Sequence, residues 1–266
     1  MKKLIYIVAC LAASTSNALM PDSYKDLSDE EKGLAIAKEA SRRDDGFMSN
    51  QFDMKMLIKN SNGTESERQL RVKNLEVEND GNKTLIIFDS PQDQRGTKVL
   101  SFSHKLEPDD QMIYLPALNR VKRIASNNRS GPFAGSEFSY EDITSPEVEK
   151  YTYKYLKTED CASGSCYVIE LKPVNDTSGY KRQVVWYDAN DYYVLKTDYY
   201  DKRDSLLKTL VYTGYKKYAD SFWRADKASM ENLQTGKSTL LIATDWQFKV
   251  DVSSEDFSSN GLQRVR

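Results

Sequence analysis

A chain of 266 residues with 29% charged residues, a formal net charge of −2 and a mean hydropathy of −0.67 reads as a soluble polypeptide long enough to bury a full core. The slight acidic excess excludes the basic stripe of a nucleic-acid binder, so no nucleic-acid partner is expected. The single histidine, His104, removes most zinc sites and leaves serine or cysteine catalysis without a base unless His104 itself serves.

The chain opens on a leader. Lys2 and Lys3 precede a nearly unbroken apolar run over residues 4–13, and Ser14-Thr15-Ser16-Asn17-Ala18 follows with small residues at the −3 and −1 positions. This pattern predicts a secretory signal over 1–18, cleaved after Ala18, and a periplasmic protein over 19–266. An apolar run of about ten residues is too short to span a bilayer, which takes about 20. Ile7-Val8-Ala9-Cys10 has the residue types of a lipoprotein box, but cleavage there would leave only about six apolar residues, short of the usual h-region.

A helix is expected next. Ser28-Asp29-Glu30-Glu31 is a capping box, Leu34, Ile36, Ala37 and Ala40 recur at helical spacing, and Asp44-Asp45-Gly46 ends the run. The period then changes to two, with Phe52, Met54, Met56 and Ile58 on one face. Asn62-Gly63 and Asp80-Gly81 are hairpin turn signals. Between them the apolar phase slips from Leu70 and Val72 to Leu75 and Val77, which predicts a bulge near Lys73-Asn74. Further strands are expected over 84–88, 98–103, 111–115, 151–157, 167–172, 182–187, 193–200, 206–215, 222–230 and 239–250. In the last, Leu240, Ile242, Trp246, Phe248 and Val250 fall on one face. About a dozen strands with turn-sized gaps predict a mainly β protein: one antiparallel sheet, strongly curled or closed, in a single domain.

Cys161 and Cys166, separated by Ala-Ser-Gly-Ser, read as a local disulfide across a hairpin, since a redox pair has two intervening residues and a helix behind it. Residues 124–146 break the regularity, with Gly131, Pro132, Gly135 and Pro146 among Phe133, Phe138 and Tyr140. A loop of about 20 residues inside a β-domain is more often functional than not. Phe133, Phe138 and Tyr140 are therefore candidates for a mobile cover, and the neighbouring Arg120, Lys122 and Arg123 for docking an acidic partner; the bland alternative for these cations is a solvated turn.

Recognised catalytic motifs are missing, and nothing calls for a metal or a cofactor. Glu137, Glu141 and Asp142 could form a glycosidase-like carboxylate pair, yet the three tryptophans are too few for a sugar groove and two of them sit in strands. An integral outer-membrane barrel would need an uncharged lipid-facing band, which these strands lack. What remains is binding without catalysis. The cleanest alternations nominate Met54, Met56, Leu240, Ile242, Trp246 and Phe248 as walls of a cavity for an aliphatic ligand. The same stripes would also fill the core of a small barrel with no ligand, leaving a module that recognises a protein.

Arg95-Gly96-Thr97, then residues 114–124 (YLPALNRVKRI), then 130–142 (SGPFAGSEFSYED) occur in an order that resembles the exported outer-membrane lipoprotein-sorting proteins, in the superfamily of the periplasmic lipoprotein carriers. The resemblance spans roughly residues 46–262. It implies a curved, incomplete antiparallel barrel closed by helices and a loop, with a cavity for acyl chains. It further implies traffic of a lipid or lipidated protein, alongside an inner-membrane exporter of the resistance-nodulation-division type. A monomer making transient contact with a membrane surface is the expected form.

Overall fold

Alternating apolar residues and frequent turns give two long meanders, which meet in one sheet. The computed structural model describes residues 20–125 and 128–264. The expected leader and its cleavage point lie outside them, as do Ser126 and Asn127. The first meander runs β1 (Ser49–Lys59), β2 (Glu65–Leu75), β3 (Lys83–Ser90), β4 (Lys98–Phe102), β5 (Asp110–Leu115) and β6 (Arg120–Arg123). The second runs β7 (Tyr151–Cys161), β8 (Gly164–Pro173), β9 (Arg182–Asp188), β10 (Val194–Tyr200), β11 (Leu206–Tyr218), β12 (Phe222–Asn232) and β13 (Ser238–Phe248). Every pairing among the described strands is antiparallel. The spatial order is β6-β5-β4-β3-β2-β1-β13-β12-β11-β10-β9-β8-β7. The sheet is curved and does not close: β6 and β7 are its two free edges, and β1 pairs with β13 at its centre.

Helix α1 (Asp29–Asp44) begins where the capping box placed it. The Ser28 hydroxyl accepts the Glu31 amide at 3.2 Å, and the Glu31 carboxylate accepts the Ser28 amide at 2.8 Å. Its apolar stripe, Ile36 and Ala37, packs on the concave face against Tyr153, Tyr167, Ile169 and Leu171. Gly33 brings the helix onto the β7 backbone, where a Cβ would stand 2.8 Å from the Lys154 nitrogen. The helix thereby shields an edge that would otherwise be a template for pairing.

The convex face is also covered, over the first meander. After β13 the chain runs through a 3-10 turn, Ser254–Phe257, into the short helix α2 (Gly261–Arg264). Phe257 and Leu262 pack there against Leu85, Ile87 and Leu100, and Lys98 donates to the Leu262 carbonyl at 2.8 Å. This second core explains the phase slip in β2. Leu70 and Val72 face the concave core while Leu75 faces the convex one, with unbroken pairing to β1 from Ser49↔Leu75 to Lys59↔Glu65. The expected bulge at Lys73-Asn74 is therefore absent. The register shift lies instead between Gln69 and Leu70, against β3.

A real bulge interrupts β13. Thr244 pairs with Asp53 but Gln247 pairs with Gln51, and Asp245 takes a φ of 57°. The extra residue reverses the alternation, because successive side chains in a strand point to opposite faces. Leu241 and Ala243, opposite Met56 and Met54, share the concave face with Trp246 and Phe248; Leu240 and Ile242 lie on the convex face. The expectation that Leu240 and Ile242 share one face with Trp246 and Phe248 is corrected accordingly. The Cys161–Cys166 disulfide joins the ends of the β7–β8 turn, with its Cα atoms 5.9 Å apart.

Candidate functional site

The segment that leaves β6 must reach β7, at the opposite edge, and it does so across the concave face. Residues 129–141 fold into a small hairpin. The Glu141 amide donates to the Arg129 carbonyl at 2.9 Å and the Phe133 amide to the Phe138 carbonyl at 2.7 Å. Ala134 and Gly135 turn its tip with φ of 52° and 76°. Phe133 is 2% exposed, wedged among Met56, Leu70, Phe88 and Val99. Phe138 is 4% exposed, among Tyr180, Tyr199, Leu210 and Met230. Tyr140 is half-buried, its ring edge-on to Phe133 at 5.8 Å. The candidate cover residues are thus set in two core clusters, as a plug.

Buried polar bonds hold the plug down. The Lys208 ammonium donates to the Asp142 carboxylate at 2.6 Å and to the Glu137 carbonyl at 2.8 Å. The Tyr180 hydroxyl donates to Asp142 at 2.8 Å, and Asn232 donates to the Glu137 carboxylate at 2.6 Å. Glu141 accepts the Gly179 amide at 2.8 Å. All three carboxylates weighed for catalysis are therefore bound into the plug's fastening. His104 pairs with Asp80 at 2.8 Å and lies 3.9 Å from the Phe102 ring. Among the described residues, no group of three or more His, Cys, Asp or Glu is placed to hold a metal ion.

Beside the plug, α1 and the sheet border a half-open cavity of about 1360 Å³. Its walls come from α1, residues 75–82, residues 145–148 and strands of the second meander. Seven tyrosines line it, at 151, 153, 187, 192, 193, 212 and 215, interleaved with Ala37, Ala40, Leu171 and Val194. A smaller chamber of 180 Å³ continues beneath the plug, reaching Glu141, Gln183 and Tyr199. Tyr151, Tyr187, Tyr212 and Glu147 line both. Burial disfavours the phenolate, pushing Tyr151 and Tyr212 up to about 12. The tyrosines therefore present neutral rings with polar tips, set among charged residues of α1 and the loops, a lining suited to an amphiphilic guest.

Glu147 stands at the junction of the chambers, 9% exposed. Burial raises its carboxyl to about 7. A carboxyl raised in the folded state favours folding fully below its unfolded value of about 4.5, and that contribution is lost as pH rises to about 7. Glu147→Gln should remove this slope, leaving the variant more stable than the parent at pH 8 by roughly 2 kcal/mol after solvent screening. Urea midpoints at pH 5 and pH 8 measure it; an unchanged slope would show that Glu147 is not the titrating group.

The residues chosen from sequence lie elsewhere. Met54 and Met56 pack in the cluster that receives Phe133, and neither lines the cavity. Trp246 stacks on Phe52 at 3.8 Å and lies 6.0 Å from Phe248, in an aromatic row at the end of β13. Leu240 and Ile242 face away from the cavity. Arg120, Lys122 and Arg123 form the exposed edge strand β6, with Arg123 paired to Asp110. The tyrosine wall was missed, although 17 tyrosines in one chain, several in alternation, were a visible signal.

A structure described as an outer-membrane lipoprotein-sorting protein domain from Vibrio parahaemolyticus is 48% identical, with a TM-score of 0.86 over 88% of this chain and 100% of that one. The chain belongs to the outer-membrane lipoprotein-sorting protein family. A family model described as "Uncharacterized protein" matches residues 80–264. A DUF1329 family protein from Desulfovibrio piger is 27% identical, with a TM-score of 0.84 over 89% of this chain and 100% of that one. A LolA superfamily protein from Nitrosomonas europaea shares the fold at 19% identity, with a TM-score of 0.69 over 86% of this chain and 98% of that one. No curated protein matches the sequence.

Proposed function

We propose that this sorting-family protein is a periplasmic carrier, working as a monomer, that holds the acyl chains of a lipid or lipidated protein in the tyrosine-lined cavity. The observation that carries this reading is the cavity's size and lining. Its 1360 Å³ exceeds the ~300–1,000 Å³ that encloses a drug-sized ligand. Each methylene buried there contributes about 0.8 kcal/mol, so a chain is held without any reacting group. Native mass spectrometry of protein purified from a periplasm should show bound lipid. Ala40→Trp, which fills the chamber from α1, should abolish that mass increment, while Ile242→Gln on the convex face should leave it intact. A chain that is empty under gentle conditions would overturn the reading.

The proposed partner for loading or delivery is an inner-membrane exporter of the resistance-nodulation-division type, met through Arg120, Lys122 and Arg123. Charges at a partner's rim mainly set the encounter rate. Reversing all three to Glu should slow association at least tenfold at low salt and leave the thermal midpoint unchanged. Unfolding of the triple variant would instead make these cations structural.

A further inference from the structure

Both chambers carry an acidic excess. Of the residues lining the large chamber, nine are Asp or Glu and five are Lys or Arg. In the small chamber four carboxylates face two cations, Arg129 and Lys150, and both of those cations are bonded to Asp109. Asp142 is neutralised by Lys208. Among the described residues, Glu141 and Glu147 therefore remain as carboxyl groups with no ion pair, and Glu147 is 9% exposed at the point where the chambers join.

A second, independent observation concerns hydroxyls. Tyr187 and Tyr199 are 9% and 7% exposed, and both line the small chamber. Neither hydroxyl has a hydrogen-bond partner among the described residues, and neither is sealed away from the chamber. Buried polar groups are otherwise almost always bonded, so a chamber holding open hydroxyls is built to bond something that enters it. The rings of Tyr151, Tyr187 and Tyr212 also line this chamber, and the π face of a tyrosine attracts organic cations.

On the carrier reading above, we infer that the guest is an amphiphile with an ammonium head: the head enters the small chamber against Glu147, Glu141 and the tyrosine rings, and the alkyl chain lies in the large chamber. Where both groups are ionised, for Glu147 above about pH 7, an uncharged head leaves two carboxylates unpaired and an anionic head meets them with like charge. Two sources share this chemistry: a phospholipid amine headgroup, and basic residues beside an acylated peptide terminus.

Calorimetric titration with dodecyltrimethylammonium, dodecyl maltoside and dodecyl sulfate, each below its micelle concentration, tests the inference at constant chain length. The cationic amphiphile should bind at least tenfold more tightly than the other two. Glu147→Gln should reduce that preference to threefold or less, through weaker binding of the cationic amphiphile. Glu141→Gln provides a second variant should Glu147→Gln fold poorly, as judged by circular dichroism, and should lower the preference in the same direction. Equal binding of all three heads, or tighter binding of dodecyl sulfate, overturns the ammonium head but leaves the carrier standing. Binding of none overturns both. Competition between lysophosphatidylethanolamine and dodecanoyl-Lys-Lys then assigns the source, by whichever displaces the cationic probe at lower concentration.

Discussion

Lys208→Met should cost about 3–5 kcal/mol of stability, the loss expected when one member of a buried ion pair is removed. Its partner Asp142 is left with a side chain only 2% exposed and no other cation, while Lys208 is itself 5% exposed. The Tyr180 hydroxyl still donates to the stranded carboxylate, which softens the loss without neutralising the charge. The double variant Lys208→Met/Asp142→Leu should recover most of the stability, since apolar residues of similar volume often replace a buried pair at little cost. Urea unfolding of the parent, both single variants and the double variant gives the coupling directly. A single-variant loss below about 1 kcal/mol would mean that water reaches the pair and that the plug is fastened by its aromatic rings alone.

Phe133→Ala should be comparably severe, at about 3–5 kcal/mol, because it empties a site packed on all sides. The ring lies 5.8 Å from both Phe88 and Tyr140 and fills the space over Met56 and Leu70. A cover that swings on the surface would lose almost nothing on truncation. The magnitude therefore separates a structural plug from a mobile lid, and hydrogen exchange at the Phe133 and Phe138 amides supplies a second readout. A loss of only a few tenths of a kcal/mol, with fast exchange, would restore the lid.

Local rules made much of the architecture legible. The capping box at Ser28 and the stop at Asp44 bound α1 because helix ends are set by nearby residues. Turn signals at Asn62-Gly63 likewise mark a hairpin. Strand β6 escaped detection because Arg120, Lys122 and Arg123 leave only Val121 apolar, and an edge strand of four residues needs no apolar alternation. The two misread phases share one cause. A period of two says which residues are alike, whereas the face they occupy depends on what covers each side of the sheet and on where a bulge inserts.

The cavity lies away from the residues nominated for its walls for a different reason. The cleanest alternations, at Met54, Met56, Leu240 and Ile242, mark surfaces that protein fills, with methionines packed beneath the plug and isoleucine and leucine on the convex side. The wall of the half-open cavity is amphipathic instead. Tyrosines at 187, 212 and 215 sit within strands whose other residues include Asp, Thr and Lys, so hydropathy scores them as ordinary. Their concentration on one side of the second meander becomes visible only once the strands are assembled.

The chain's two ends and the sheet's two edges fall in different places. Around the sheet the strands keep sequence order, but the physical gap lies between β6 and β7, where the backbone is continuous through the plug. The strands farthest apart in sequence, β1 and β13, are neighbours joined by hydrogen bonds. Each meander is made of local contacts and can form alone, whereas the β1–β13 seam closes a loop of nearly the whole chain and so forms late. The cavity takes walls from both meanders. A chain lacking its last strand has two ribbons with no seam to join them, so the chamber is complete only once β13, which lines neither chamber, has paired with β1.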